Sequence, residues 1–159
     1  PIFPVPSSLI KQACTFDDYK CGQIFELEEG VVVRTGKLNH PNGACGYRIE
    51  FAGKAIAICT DTEHFEDDID QNVVSLSQDA DVMVYDSAYT QENYPKFKGW
   101  GHSTWQEAVK VAETANVKQT FLFHHDPSHD DTKMDAIAKE VAKIRSGVRP
   151  AVEGEEIEI

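Results

Sequence analysis

Three features of the sequence predict an α/β fold, a mixed sheet with flanking helices. The first half is a series of short β-prone runs, and from residue 81 onward strand-like and helix-like segments alternate. Hydrophobic residues make up 41% of the 159 positions, enough to form a core. A chain of this length buries roughly two thirds of its unfolded surface, so residues 1–159 are expected to form a single domain.

The elements follow in order. Residues 23–27 and 31–35 are β-prone and separated by Glu28-Glu29-Gly30, which predicts a turn. GYRIEF (46–51) and KAIAIC (54–59) flank Ala52-Gly53, a hairpin signature. Residues 69–78 suit a short helix with Val73, Val74 and Leu76 as its apolar positions, and DVMVY (81–85) is a strand ending at Asp86. Over 102–115, Trp105, Ala108, Val109, Ala112 and Ala115 recur at helical spacing, with Ser103 as the expected N-cap and Gln106 completing a capping box. A strand is predicted at 118–123. A second amphipathic helix is predicted at 132–145, with Met134, Ile137, Ala138, Val141 and Ile144 on one face and Gly147 beyond its end. Residues 152–159 are expected to be a charged, flexible tail, with EEIEI as an edge strand the alternative.

Charge and composition narrow the function. A net charge of −12 opposes non-specific binding to nucleic acid or anionic lipid, which require Lys/Arg patches. There is no apolar run of about 18 residues, so no membrane-spanning helix is expected. PIFPVPSS at the start has neither the basic region nor the apolar core of a signal peptide, which points to a cytoplasmic protein. The absence of an initiating Met points to a processed or trimmed chain. Cys14, Cys21, Cys45 and Cys59 form no CxxC pair, so free thiols are expected, with a Cys14–Cys21 disulfide the alternative.

The chemistry concentrates at element ends. His40 follows a strand in LNHPNGACGY, His64 another in CTDTEH, and His102 opens a helix in GWGHST. His124, His125 and His129 follow the strand in FLFHHDPSHDD, and Asp61 and Asp86 occupy similar places. Ligand sites of α/β sheets collect at the carboxyl ends of strands. Imidazole nitrogens and carboxylate oxygens held there suit a divalent metal. Any one of these histidines is as readily a solvated loop residue, and no local HExxH signature decides the matter.

The blocks LNHPNGACGYRIEF, AIAICTDTEH, DVMVYDSAYT, GWGHSTWQEAVKVAETANVK and FLFHHDPSHDD, in that order, resemble the metallo-β-lactamase fold. Within it they resemble the phosphodiesterase and ribonuclease Z branch. The resemblance implies an αββα sandwich and a centre of two divalent ions, zinc or manganese. It implies metal ligation by His40, by Asp61 as the bridging carboxylate, and by His124. It implies that His102 contacts the scissile phosphate or protonates the leaving oxygen, and that Asp86 orients His102. His64 is then a supporting or substrate-contacting residue. His125, Asp126 and His129 either orient ligands or belong to the turn, and Asp130 and Asp131 are expected to cap the following helix.

The sequence departs from that family in one respect. The early HxHxDH block that supplies most of its metal ligands is absent, and no histidine precedes His40. The chain therefore resembles the C-terminal part of such a domain. Half a sandwich leaves one sheet face bare, so a missing N-terminal half or a second copy of the chain is expected as a partner. Alone, the chain is expected to hold at most one metal weakly and to show little activity. The charge favours a small phosphodiester, a cyclic nucleotide or cyclic sugar phosphate, over a polynucleotide. Tyr47, Phe97 and Trp100 are candidates to stack on its base or sugar, or else to pack. Two alternatives stand beside this reading: a non-catalytic remnant or interaction module of the same fold, and a flavodiiron-like redox site, disfavoured because HST is not part of that pattern.

Overall fold

A computed structural model describes residues 17–159. Seven strands form one mixed sheet in sequential order: β1 (Ile24–Glu26), β2 (Val32–Leu38), β3 (Ala44–Phe51), β4 (Lys54–Cys59), β5 (Val82–Asp86), β6 (Gln119–Phe123) and β7 (Val148–Pro150). Strands β1 to β4 pair antiparallel, and β4 to β7 pair parallel. Helices α1 (Gln71–Ser77), α2 (Trp105–Thr114) and α3 (Asp131–Ile144) make the parallel crossovers. The predicted α/β class and its mixed sheet hold.

Local chemistry explains the connections. Ala52 and Gly53, at φ 50° and 79°, form the two-residue turn whose twist matches the β3–β4 hairpin. Asp70 caps α1 by accepting from Asn72 N–H, and Asp130 caps α3 by accepting from Lys133 N–H. The expected cap of α2 needs correction. Thr104, not Ser103, accepts from Glu107 N–H, because the Ser103 hydroxyl is engaged with His64. The C-terminal EEIEI forms no strand. The edge is taken by β7, whose Pro150 closes the pairing with β6 at Leu122.

The helices cover one face of the sheet. Ala57, Cys59, Met83, Tyr85 and Leu122 point toward them and are fully buried, as are Ala108 and Ala112 of α2 and Val141 of α3. Gly36 and Gly46 sit opposite each other in the β2–β3 ladder, and a Cβ on either would lie 2.9 Å from Cδ1 of Leu76. That glycine pair makes the hollow into which α1 drops its leucine. Ile144 departs from the expected apolar stripe of α3: the buried part ends at Val141 and Ile144 is exposed.

The opposite face carries Val33, Tyr47, Ile49, Ile56, Ile58 and Val84, half-buried among the described residues, with Phe51 and Phe123 exposed at its margins. Ile159 lines one hollow on this face together with Ile49 and Ile56, and the last residues have no secondary structure. Cys21, Cys45 and Cys59 are free thiols, and Cys14 lies outside the described residues. Among the described residues no helix is long and apolar enough to cross a membrane.

Candidate metal centre

Strands β2, β4, β5 and β6 run in the same direction, so their carboxyl ends share one edge of the sheet. His40 lies two residues past β2, Asp61 two past β4, Asp86 closes β5, and His124 follows β6 directly. The five residues singled out in the sequence meet there, His102 arriving from the loop before α2. Asp61 and His124 both adopt left-handed backbone, at φ 57° and 60°. Aspartate and histidine tolerate that region better than most residues, and such strain persists where the surroundings over-determine it.

Asp86 organises the edge. It is 0% exposed. Its Oδ2 accepts from Asp61 N–H (3.0 Å), Thr62 N–H (3.4 Å) and Nδ1–H of His102 (2.8 Å); its Oδ1 accepts from Ser103 N–H (3.1 Å) and Ala88 N–H (3.3 Å). Burial pushes its carboxyl pKa up, and the bonds from His102 and Ser103 oppose that. Two carboxylate oxygens offer about four lone-pair positions, and five donors fill them. Asp86 is thereby suited to orienting His102, with little capacity left to ligate a metal.

His102 stands at the centre of the imidazoles. Its ring stacks on His124 with centroids 4.5 Å apart and meets His40 edge-on at 5.9 Å. Two overlapping triads have side-chain donor atoms within 4.8 Å of one another: His40, Asp61 and His102, and Asp86, His102 and His124, the second drawn together by the Asp86–His102 hydrogen bond, with Asp86 already occupied. The expected set of His40, Asp61 and His124 is thus adjacent but is not itself one of the tight groups; His102 closes both. Asp61 Oδ1 and His124 Nε2 are 3.9 Å apart, too far for a hydrogen bond. Donors sharing a tetrahedral ion at about 2.0–2.2 Å lie about 3.3–3.6 Å apart, so a small closing movement of these two side chains would bring them to that separation. The donor types and spacing therefore fit a divalent ion.

Further residues enclose the centre. His64 shares a hydrogen bond with the Ser103 hydroxyl (2.9 Å), which also accepts from the Tyr85 hydroxyl (3.3 Å). Burial lowers the His64 pKa. Its ring lies 4.3 Å from that of Tyr94. His40, His64, Tyr94 and Lys98 line a cleft of about 810 Å³ whose wall also carries Glu66, Asp67 and Asp68. Sequence reasoning missed Glu63, a buried carboxylate in the same loop as Asp61. Its only local signal is a charged residue between two candidate site residues, and its partners lie more than 30 positions away.

Other candidates separate from the edge. Phe97 stacks face to face on Tyr89 at 4.5 Å, Trp100 packs edge-on against Phe97 and is largely exposed, and Tyr47 sits mid-strand in hydrogen-bond contact with Tyr19. The ring nitrogens of His125 are buried, and burial lowers its pKa against the opposing pull of the Ser87 and Leu122 backbone. Asp126 accepts from Ser128 N–H at 2.8 Å, a turn contact.

Residues 11–125 match the Beta-lactamase superfamily domain, most of the chain and all five edge residues. The chain belongs to the metallo-β-lactamase superfamily. It is 26% identical over 144 residues to ribonuclease Z of Bacillus cereus (strain G9842), covering 91% of this chain and 43% of that one. The chain thus spans less than half the length of that curated relative. In structure it resembles the metallo-β-lactamase fold protein YhfI of Bacillus subtilis, with TM-score 0.72, 18% identity, and 91% and 57% of the two chains covered. It also resembles zinc-bound PqqB of Methylobacterium extorquens, with TM-score 0.60, 13% identity, and 89% and 55% covered. The metallo-β-lactamase fold implies binding of divalent metal, and the donors at the sheet edge are of the types such ions take.

Proposed function

We propose that this chain forms part of a metal-dependent hydrolase acting on a small phosphodiester, with His40, Asp61 and His124 as metal ligands. The observation that carries the reading is the convergence of His40, Asp61, Asp86, His102 and His124 on one sheet edge. When bound, a pair of zinc or manganese ions supplies a hydroxide nucleophile and neutralises charge developing on the phosphate.

The chain's own residues handle position and protons. Asp86 holds Nδ1–H of His102, which leaves Nε2 of that ring to carry a proton toward the leaving oxygen. The cleft beside His40 has the volume of a small-molecule site, and its carboxylates disfavour a polyanion. Both points support a cyclic nucleotide or cyclic sugar phosphate over a long RNA. The relative's name, ribonuclease Z, supports hydrolysis of a phosphodiester as the reaction class.

Residues 1–159 are read as one domain that is incomplete by itself, located in the cytoplasm. The apolar face away from the helices supports a second sheet layer, supplied by an N-terminal half or another copy of the chain. An HxHxDH segment, which an N-terminal half could bring and a second copy could not, would complete both metal positions. The test is zinc- or manganese-dependent hydrolysis of bis(p-nitrophenyl) phosphate, with and without that layer. Turnover is expected only in the assembly. Robust turnover by the 159 residues alone, or a complete assembly that takes up no metal, overturns the reading; the latter would favour a non-catalytic remnant.

A further inference from the structure

Glu63 ties together three loops that otherwise share no covalent or ladder connection. Its N–H donates to Asn39 C=O (2.8 Å) while Asn39 Nδ2 donates to Glu63 C=O (2.9 Å), which fixes the residue before His40. Its Oε1 accepts from the Tyr94 hydroxyl (2.7 Å) and Gly99 N–H (2.7 Å), and its Oε2 accepts from Gly101 N–H (2.9 Å), the residue before His102. Asp61 lies two positions away in the same loop. The side chain is buried, and all three of its partners are donors.

Gly101 shows how tight this junction is. It sits at φ 92°, and a Cβ there would lie 2.2 Å from Cδ2 of His40. The backbone of the His102 loop is therefore pressed against the His40 ring; Asp86 and His64 hold the loop beyond this point, at His102 and Ser103, and the Glu63 carboxylate holds it at Gly101 itself.

We propose that Glu63 is a positioning residue that holds the Gly101–His102 backbone against the ring of His40, and with it the placement of His40 as a metal ligand. This rests on the metal reading above only for its effect on metal affinity. Glu63→Gln can keep an oxygen facing Tyr94 and Gly99, but it then turns its NH2 toward Gly101 N–H, donor against donor. The loss falls on the one bond that adjoins His102.

The experiment compares the protein with Glu63→Gln and Tyr94→Phe by NMR and by zinc titration. Metal-free wild type is expected to show an Overhauser contact between His40 Hδ2 and Gly101 Hα. Glu63→Gln is expected to lose it while the core contacts of Leu76 persist. Zinc affinity should fall about 10–100-fold, the usual cost of removing a group that orients ligands. Tyr94→Phe, which removes one donor and keeps the carboxylate, should shift both readouts in the same direction by less. A merely stabilising role would lower the melting temperature and leave both readouts unchanged, and that result overturns the proposal. Should wild type bind no zinc, the metal reading fails, and the His40–Gly101 contact alone decides the role of Glu63. Should Glu63→Gln fail to fold, the contact in Tyr94→Phe decides, its full retention counting against the proposal.

Discussion

The two faces of the sheet are both apolar in sequence, yet they are made for different neighbours. On β2 to β4 the helix side carries Gly36, Gly46, Ala55, Ala57 and Cys59, while the other side carries Val33, Tyr47, Ile49, Ile56 and Ile58. Small residues admit α1 and α2 to close range, and Ala57 and Cys59 are 0% exposed. The large residues of the opposite face stay half-buried, with no helix laid over them among the described residues; Tyr19 meets Tyr47 there, and Ile159 shares a hollow with Ile49 and Ile56. Hydrophobicity does not separate the two faces. Side-chain size and residual exposure do.

That contrast can be broken by measurement. On the covered face, Leu122→Ala removes a fully buried side chain and should cost about 2–5 kcal/mol in urea unfolding. Next in size is metal linkage at the sheet edge. Zinc at a hundredfold excess over its dissociation constant should stabilise the protein by about 2.7 kcal/mol, and the gain should vanish in Asp61→Ala and His124→Ala. A gain of equal size in those variants would remove both residues from the ligand set. On the open face, Ile58→Ala should cost about 1–2 kcal/mol in the isolated chain, less than at a fully buried site, since part of its area already meets water. Its cost should approach that of Leu122→Ala once a covering layer is bound. Equal costs from the outset would abolish the distinction.

The smallest effect concerns acid stability at the opposite end of β5. The Lys118 ammonium bonded to Asp81, helped by Ala55 N–H, holds that carboxyl down at about 2. A folded pKa below the unfolded value of about 3.9 means the contribution is complete above that value and is lost as pH falls through it toward 2. Asp81→Asn should flatten the acid limb of the stability curve between about pH 5 and pH 2 and leave the neutral-to-alkaline limb unchanged in shape. An unaltered acid limb would show that the pair contributes nothing.

Most elements were legible because their signals are local. The alternation of KAIAIC, the Ala52-Gly53 turn and the helical spacing of Trp105, Ala108, Val109 and Ala112 each determine structure within a few residues. The failures were of the other kind. Val148–Pro150 is too short and too poor in β-formers to be a strand without the free edge of β6 beside it. Ser103 satisfies every local rule for a cap, and loses the place to Thr104 because His64, 39 positions earlier in the chain, takes its hydroxyl.

The site divides in the same way. The strand-end placement of His40, Asp61, Asp86 and His124 is written in the chain, because a strand's direction brings whatever follows it to a known edge, and His102 is written there as the histidine just ahead of a helix. Which of them touch was decided only by the tertiary structure: His102 closing both triads, Asp86 saturated by five donors, and Glu63 joining three loops. A hydrogen bond across more than 30 residues leaves no periodicity for a sequence to carry. The chain fixed the elements and the chemistry at their ends; packing chose the partners.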